Sequence, residues 1–417
     1  MDSLIIDRGD KYCRGCGSES LYSGLDLGNL PIANELAANP LQHIENYPLH
    51  LKICSECNLG QVADVVTSAR IFQDYRYLSS ISTTFTRHAS DFVSRVIVDL
   101  DISKSDWVLE IASNDGYLLK NFQEKDIPCL GIEPAQNVAK ISTSLGIKTI
   151  NDFFTRDLAI DVLQKFGYPK LIIANNVMAH VPDLQDFLKG LQVLTGPNTT
   201  VTVENPSLIN ILNGMQFDTI YHEHYSYLSA TSVDNLSSRF GLRLQKVEKL
   251  ETHGGSLRYW LNNQALNAGV HASVRETIHF EKTAGLFDVS SWVILQEKVS
   301  NLIQSFSEWL ADKQERGETV TGYGAAAKAS TLLNCINLPD LPIKAIADGS
   351  SEKQNRFMPN SFVPIISPEQ LFAAPPDHIV IFPWNIEREI VEILCKNITQ
   401  KFKVWVVVPT LREVRLR

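Results

Sequence analysis

The sequence lacks a long apolar run, an excess of basic residues and the glycine fingerprint G-x-G-x-x-G of dinucleotide-binding proteins. No stretch reaches the roughly 18 apolar residues of a membrane-spanning helix. The first residues lack a basic segment followed by an apolar one, so we expect no signal peptide. Lys and Arg number 38 against 47 Asp and Glu, and the net charge of −9 disfavours a general nucleic-acid binder. We therefore expect a cytoplasmic protein without a membrane or nucleic-acid partner.

The size and composition are those of a globular protein with several domains. The chain has 417 residues, of which 44% are hydrophobic and 20% charged. These values exclude a disordered chain and a coiled coil. Since a single hydrophobic core rarely exceeds roughly 250–300 residues, we expect two or three domains.

Cysteine is sparse, and its spacing points to a metal rather than to disulfides. Of seven cysteines, four form two Cys-x-x-Cys pairs, Cys13/Cys16 and Cys54/Cys57, and three are scattered. Four thiolates close a tetrahedral zinc shell and leave no position for a substrate. We predict a structural zinc ion that holds a small N-terminal module together. Two redox-active pairs are the alternative, and two such pairs in one short segment are the less economical explanation.

A strand, a turn of small residues and a helix start follow each other from residue 108. Val108-Leu109-Glu110-Ile111 is apolar enough for a buried strand, and Ala112-Ser113-Asn114-Asp115-Gly116 lets a ligand approach the backbone. Glu133 ends the next strand, 129–133, about 20 residues after the turn, where an acid accepts hydrogen bonds from ribose hydroxyls. A further strand at 171–174 ends in two asparagines. The pattern predicts a doubly wound parallel sheet and is typical of class I S-adenosylmethionine (SAM) methyltransferases, although the turn alone is a weak signal.

The stretch 218–229 is unusually dense in titratable and aromatic residues. It contains Tyr221, His222, Glu223, His224 and Tyr225 in succession. In an extended conformation the two histidines would face the side opposite to Tyr221, Glu223 and Tyr225. Histidine suits acid–base catalysis near neutral pH, and we favour that role over a metal site or a satisfied structural cluster. A second aromatic segment, Asp74-Tyr75-Arg76-Tyr77-Leu78-Ser79-Ser80-Ile81-Ser82, is either linker packing or a lid of hydroxyl groups.

The C-terminal half repeats the strand–turn–helix pattern. A helical stretch at about 275–316 leads to a strand and the turn Gly322-Tyr323-Gly324, and Asp348 ends the following strand. Strands at 379–382 and 404–408 complete a second sheet. Taken alone, Gly322-x-Gly324 with Asp348 would suggest a dinucleotide site. Lys328 either lies near a diphosphate or is an ordinary solvated helix residue.

Taken together, these motifs resemble the SAM-dependent nucleotide-deoxysugar 3-C-methyltransferases, which make branched sugars. The resemblance covers essentially the whole chain. It is carried by the two cysteine pairs, Tyr75-Arg76-Tyr77-Leu78-Ser79-Ser80, Glu110-Ile111-Ala112-Ser113-Asn114-Asp115-Gly116, Tyr221-His222-Glu223-His224 and Gly322-Tyr323-Gly324-Ala325-Ala326-Ala327-Lys328.

The resemblance implies an α/β protein of three parts. These are a zinc-binding domain (1–73), a Rossmann-like class I SAM methyltransferase domain (74–246) and a second Rossmann-like α/β domain that helps to hold the nucleotide sugar (247–417). Its cofactors would be SAM and structural Zn²⁺. Its partner would be a dTDP- or GDP-linked sugar, and we expect a monomer or a weak homodimer.

The resemblance also implies a mechanism and site residues. A ketone at C4 of the hexose acidifies the hydrogen on C3, a base removes that proton, and the resulting enolate attacks the SAM methyl group. The implied base is His224, with His222 as its competitor. The implied catalytic residues are His224, Glu223, Tyr221, Tyr75, His180 and Asn176. The implied SAM contacts are Glu110, Ala112, Asn114, Asp115, Gly116, Leu118, Glu133, Pro134 and Asn175. The implied substrate contacts are Tyr77, His222, Tyr323, Gly324 and Lys328.

Three other functions fit parts of the sequence. A zinc-ribbon RNA methyltransferase is disfavoured by the net charge, and a NAD-dependent zinc dehydrogenase by the four-cysteine shell and the glycine-poor first turn. The third is a SAM-binding scaffold without catalysis.

Overall fold

The computed structural model describes residues 9–65, 78–81, 83–266, 269–336, 338 and 340–416. Its first part is an antiparallel sheet of β1 (Leu21–Pro31), β2 (Asn46–Cys54), β3 (Gly60–Gln61) and β9 (Ser226–Tyr227). The strands lie in the order β1-β2-β3-β9, so the last strand of this N-terminal sheet is supplied by the middle of the chain.

The middle part contains the strands β4 (Val108–Ile111), β5 (Cys129–Ile132), β6 (Thr149–Ile150), β7 (Leu171–Asn175), β8 (Thr200–Pro206), β10 (Leu242–Leu250) and β11 (Ser256–Asn263). They form one sheet in the order β10-β11-β8-β7-β4-β5-β6, parallel from β8 to β6. The parallel strands β4 and β7 are almost wholly buried, which explains their continuous apolar sequences.

Helices cover this sheet on both faces. They are α1 (Thr83–Asp99), α2 (Lys120–Gln123), α3 (Gln136–Ser144), α4 (Arg156–Phe166), α5 (Leu184–Leu194), α6 (Leu208–Gly214) and α7 (Ala230–Arg239). The short helix α2 begins at Lys120, three residues later than the sequence suggests, because residues 117–119 still belong to the turn after β4.

The C-terminal part has strands β12 (Val320–Tyr323), β13 (Ile343–Ala347), β14 (Ile365–Ile366), β15 (His378–Ile381), β16 (Lys403–Val406) and β17 (Arg412–Val414). The strand order is β14-β13-β12-β15-β16-β17, and only β17 runs antiparallel. The helices are α8 (Ala272–Thr283), α9 (Val289–Glu315), α10 (Ala327–Asn334), α11 (Pro368–Ala373) and α12 (Glu387–Asn397). Single-turn 3₁₀ helices lie at Ser79–Ile81, Met178–His180, Phe217–Thr219, Thr252–Gly254, Gln264–Leu266 and Trp384–Ile386.

The α/β fold class and both sheets are as the sequence predicts, but two details differ. The division at 246/247 falls inside β10, and the middle sheet continues to Asn263 because β11 pairs with β8. The single helix expected at about 275–316 is two helices, interrupted at residues 284–288 where the chain turns at Gly285. Among the described residues, no helix is both long and apolar enough to cross a bilayer.

The long helix α9 joins the first and third parts of the molecule. Its buried residues recur every three or four positions and form one apolar stripe: Trp292, Leu295, Val299, Leu302, Phe306 and Leu310. This stripe belongs to a core cluster that contains Leu25 and Leu51 of the N-terminal sheet as well as residues of the C-terminal sheet. The Gln296 side chain donates to the Asp26 carbonyl at 3.1 Å. The three parts of the chain therefore share cores.

Candidate active site

The four paired cysteines come together at the end of the N-terminal sheet. Their sulfur atoms all lie within 4.8 Å of one another, with Cys13 to Cys57 at 3.4 Å and Cys16 to Cys54 at 3.6 Å. Each pair closes a backbone turn, in which Gly17 N–H donates to Cys13 and Asn58 N–H donates to Cys54. Four converging sulfurs fit a tetrahedral zinc ion and leave no position for a substrate.

The turn after β4 has a strained backbone that shapes a ligand cradle. Ala112 and Asn114 adopt left-handed φ angles of 53° and 49°, which non-glycine residues rarely do. Gly116 has φ of 81°, and a Cβ atom there would lie 2.5 Å from Ile147 Cδ1. Glu133 supports the turn, because its Oε2 accepts from Asn114 N–H at 2.9 Å and its Oε1 from Ala135 N–H at 2.9 Å. The carboxylate oxygens retain further acceptor capacity for a ligand.

Several buried acceptors at this turn and at the end of β7 have no hydrogen-bond partner among the described residues, and three of them are carboxylate or amide oxygens considered for the ligand. They are Glu110 Oε2, Asp115 Oδ1 and Asn175 Oδ1. Burial raises the pKa of Glu110 well above its usual range, and the charges of Glu133 and Asp115 raise it further. Unpaired buried acceptors are costly, so the cradle fits a ligand that supplies hydrogen-bond donors. The ammonium and hydroxyl groups of SAM are such donors.

Two further predicted SAM contacts have other surroundings. Leu118 is fully buried in a core cluster with Phe92 and Val96 of α1, so it packs in the interior instead of lining the cradle. Pro134 is half-buried, and its carbonyl accepts from the Asn151 side chain at 2.9 Å.

The end of the predicted lid contacts the cradle. Ser79 N–H donates to Asn114 Oδ1 at 3.0 Å, and Ser80 N–H donates to Asp115 Oδ2 at 3.1 Å. The lid tyrosines, Tyr75 and Tyr77, lie outside the described residues, so their proposed roles stay predictions.

A β-turn brings Tyr221 and His224 together. His224 N–H donates to the Tyr221 carbonyl at 3.0 Å, and the Tyr221 hydroxyl lies 2.8 Å from His224 Nε2. His224 Nδ1 lies 3.3 Å from the Thr219 carbonyl, which can only accept, so the protonated nitrogen is Nδ1 and Tyr221 donates to Nε2. The extended alternation expected from the sequence is wrong here, because a turn places residues i and i+3 side by side.

His180 faces this pair from the end of β7. Its ring centroid lies 4.6 Å from that of His224, and its Nδ1 donates to the Glu223 carbonyl at 2.7 Å. Burial lowers the pKa of His180 to about 4, so the imidazole is neutral at pH 7. Asn176, with φ of 55°, is held beside it by a backbone bond of 2.6 Å to Glu204.

The side chains of His222 and Glu223 point away from this group, towards the N-terminal part. His222 Nε2 lies 3.3 Å from the Tyr47 carbonyl, and Glu223 Oε1 accepts from the backbone and side chain of Asn34 at 3.2 and 3.0 Å. Both are buried, whereas Tyr221 and His224 are partly exposed. The turn directs both side chains into the protein interior, where Glu223 Oε2 and His222 Nδ1 have no hydrogen-bond partner among the described residues. The expected substrate contact of His222 and the catalytic role of Glu223 stay predictions.

Sequence reasoning missed the residues at the end of β8. Asn205 is 1% exposed, and neither of its side-chain polar atoms has a partner among the described residues. The neighbouring Glu204 lies 3.0 Å from His88 Nε2 and accepts from Arg258 at 2.6 Å. Burial alone would raise the pKa of Glu204, but the hydrogen bond with His88 and the Arg258 charge lower it to about 2. The polar pair Glu204-Asn205 directly after a buried strand was the available signal.

In the C-terminal part, Lys328 lies beside Asn385 and Trp384, and its charge acts on Asp218 of the loop 218–225. Lys328 Nζ lies 3.1 Å from Asn385 Oδ1 and 5.3 Å from the centre of the Trp384 ring. Trp384 Nε1 donates at 2.8 Å to Asp218, whose pKa burial raises to about 6, against the opposing charge of Lys328. The Thr331 hydroxyl of α10 donates to the Ile220 carbonyl at 3.1 Å.

The turn at Tyr323-Gly324 is covered by other residues of the C-terminal part. Tyr323 is buried in the C-terminal core, and a Cβ atom on Gly324 would lie 2.4 Å from Pro383 Cδ. Asp348 accepts from Ala325 N–H at 2.8 Å and lies 3.5 Å from Lys353 Nζ. Both residues pack within the C-terminal part, and their expected substrate contacts stay predictions.

Three family models match successive parts of the chain. The "putative zinc binding domain" matches residues 13–72, the "methyltransferase domain" residues 85–247 and the "C-methyltransferase C-terminal domain" residues 251–409. The C-methyltransferase NovU of Streptomyces niveus is 29% identical over 382 residues, which are 91% of this chain and 91% of that protein. The chain is a SAM-dependent methyltransferase. The methyltransferase takes SAM as its cofactor and has a zinc-binding N-terminal part.

Solved structures resemble part of the methyltransferase. A SAM-dependent methyltransferase from Anabaena variabilis is 12% identical, with a TM-score of 0.34. The superposed region is 42% of this chain and 84% of that protein. Magnesium protoporphyrin IX methyltransferase from Synechocystis, with bound SAM, is 11% identical and covers 46% of this chain and 88% of its own, with a TM-score of 0.33.

Replacing Ala112 tests the strained cradle. Because a left-handed conformation costs a non-glycine residue about 1–2 kcal/mol, Ala112→Gly should keep or slightly raise the free energy of unfolding, and Ala112→Val should lower it by at least about 1 kcal/mol. Urea denaturation and SAM titration provide the measurements. Equal effects of the two substitutions would contradict the strain.

Replacing one zinc ligand tests the metal-dependent N-terminal part. Cys54→Ser should lower the zinc content and the melting temperature, because metal binding contributes folding free energy. The matched control is Cys395→Ser, since Cys395 is exposed and outside the cluster. The zinc content and the melting temperature of the control should stay at wild-type values. A Cys54→Ser protein with a normal melting temperature would refute the stabilising role of the metal.

Proposed function

We propose that the methyltransferase transfers the methyl group of SAM to carbon 3 of a nucleotide-linked 4-keto-deoxyhexose, for the biosynthesis of branched sugars. The observation that carries the proposal is the Tyr221–His224 pair, which faces His180 at the carboxyl ends of the strands that hold the SAM cradle. Carbon methylation needs a base that can create a carbanion, and O-methylation has a weaker need for one. Tyr221 and His224 are partly exposed, so a substrate carbon can approach the pair and lose a proton to it.

The base in this proposal is His224, acting with Tyr221. The ketone at C4 stabilises the electrons left on C3, so that removal of the C3 proton yields an enolate. The proton is taken up by the Tyr221–His224 pair, and the imidazole ends protonated on both nitrogens. The Thr219 carbonyl, 3.3 Å from Nδ1, stabilises that imidazolium. General-base catalysis of this kind contributes about 10²- to 10⁴-fold.

The neutral state of His180 supports this assignment. Two imidazolium rings 4.6 Å apart would repel each other. Since the pKa of His180 is lowered to about 4, His224 can become positive without a charged neighbour. The amide groups of Asn176 and Asn205 are suited to donate hydrogen bonds to the enolate oxygen.

The remaining chemistry is the methyl transfer itself. When bound, SAM supplies an electrophilic methyl group on a positively charged sulfur. Glu110, Asp115, Glu133 and Asn175 would hold it by accepting hydrogen bonds from its polar groups. Among the expected C-terminal contacts, Lys328 is the candidate for the diphosphate, because its ammonium lies beside Asn385 and Trp384, and Trp384 donates to Asp218.

The direct test uses a panel of dTDP- and GDP-linked 4-keto-deoxyhexoses with SAM. Mass spectrometry should detect the added methyl group, and NMR should locate it on C3. Methylation on oxygen, or methylation of RNA but of no sugar nucleotide, would refute the proposal.

Single substitutions test the base. His224→Gln should lower turnover at least about a hundredfold and abolish exchange of the C3 hydrogen in heavy water with S-adenosylhomocysteine bound. Tyr221→Phe should lower both rates less, since it keeps the imidazole. His279→Gln is the control, because His279 is exposed on α8. SAM affinity should stay within about twofold of wild type in all three, because none of these side chains belongs to the cradle. Unchanged exchange in His224→Gln would remove His224 from the mechanism.

A further inference from the structure

Arg14 is a buried arginine between the first two zinc ligands, and its contacts extend beyond the zinc-binding part. It is 3% exposed. Its Nη2 donates to Asp64 Oδ1 at 2.6 Å and to the Val62 carbonyl at 2.5 Å. Its Nη1 donates to the Pro182 carbonyl at 3.1 Å. Neutralising Asp64 does not require the bond to the Pro182 carbonyl, so Arg14 does more than balance that charge.

The contacts outside the zinc-binding part fall on the two segments that carry the facing imidazoles. Pro182 is two residues after His180. Tyr225 directly follows His224, and the Arg14 guanidinium lies 5.2 Å from the centre of the Tyr225 ring. One rigid side chain therefore contacts the chain just after each histidine.

Backbone bonds reinforce the same connection. β3 pairs with β9, with Gly60 opposite Tyr227 and Gln61 opposite Ser226. Val62 N–H also donates to the Tyr225 carbonyl at 3.1 Å. The buried Gln61 accepts from Arg14 N–H at 2.9 Å. The end of the catalytic turn is thus hydrogen-bonded to residues that follow the second cysteine pair.

We propose that Arg14 is a positioning residue, which sets the spacing of His180 and His224 by holding the segments that follow them. The inference rests on the proposed roles of these two histidines. It gives the zinc-binding part a task in catalysis, because the turns that bind the metal also hold this guanidinium. Arg14 itself touches no reacting atom.

The chemistry of the guanidinium explains why arginine is needed. Its planar fork can donate to Asp64, Val62 and Pro182 at once and can also cover an aromatic ring. A lysine ammonium can replace the charge opposite Asp64 but cannot span the same acceptors. Arg14→Lys therefore separates charge neutralisation from positioning.

The test compares Arg14→Lys with the double variant Arg14→Met/Asp64→Asn. The double variant avoids a buried carboxylate without its cation, which would destabilise the fold by itself. Lys52→Met is the control, because Lys52 lies on β2 of the N-terminal sheet and its bonds go to Asp10. Zinc content, SAM affinity and the imidazole NMR resonances of ¹³C-labelled histidine are measured for each protein, together with kcat and KM for any sugar nucleotide that the wild type methylates.

We expect both Arg14 variants to retain zinc and to bind SAM within about twofold of wild type, since the cradle is untouched. The His180 and His224 resonances and their titration should shift. kcat should fall by about ten- to a hundredfold, because misplacement of catalytic groups by about 1 Å has effects of this size. Lys52→Met should match the wild type in every measurement.

Unchanged histidine resonances and an unchanged kcat in both variants would overturn the proposal. Loss of zinc from both variants would also overturn it, because Arg14 would then act on the metal shell. If no sugar nucleotide is methylated, the function proposed above fails, but the histidine spectra still decide whether Arg14 positions the two imidazoles.

Discussion

The pairing of β3 with β9 is the constraint on which the candidate site depends. Its hydrogen bonds join residues 60–62, next to the zinc ligands, to residues 225–227, next to the Tyr221–His224 turn. Side-chain bonds from Asn34 and His180 to Glu223 hold the same loop at its middle. The pairing makes the turn part of a sheet, so the zinc-binding part determines where the turn lies. The cysteine cluster and the Tyr221–His224 turn are thus joined by backbone hydrogen bonds, although they are different sites.

Burial divides the polar residues of this loop into two groups. Tyr221 and His224 remain partly exposed and contact each other, while His222 and Glu223 are buried against the N-terminal part. The same burial that makes His222 structural also lowers its pKa to about 4, which suits an uncharged interior residue. Two histidines that are two residues apart therefore have different chemistry, set by the direction in which the turn points them.

The two strand–turn–helix units of the chain have similar sequence patterns, but the acidic groups at their turns have different surroundings. Around the first turn, acidic groups are crowded together, and burial and their mutual charges raise the pKa of Glu110. At the second turn, the acid Asp348 is neutralised by Lys353, and Gly324 is packed against Pro383. The first unit has spare acceptors for a ligand, whereas the second presents α10 to the loop 218–225, where Thr331 donates to the Ile220 carbonyl.

The sequence by itself determined the α/β class, the parallel strands of the two larger sheets, the four-sulfur cluster and the small-residue turn after β4, because cysteine spacing and short apolar strands report on local structure. Tertiary structure alone decided that β9 joins the N-terminal sheet, that Arg14 spans two segments and that Asn205 is buried without a partner among the described residues. It also directed His222 and His224, expected on one face of an extended strand, to different sides of a turn. These features depend on contacts between residues far apart in the chain and on one β-turn, and neither leaves a periodic pattern in the sequence.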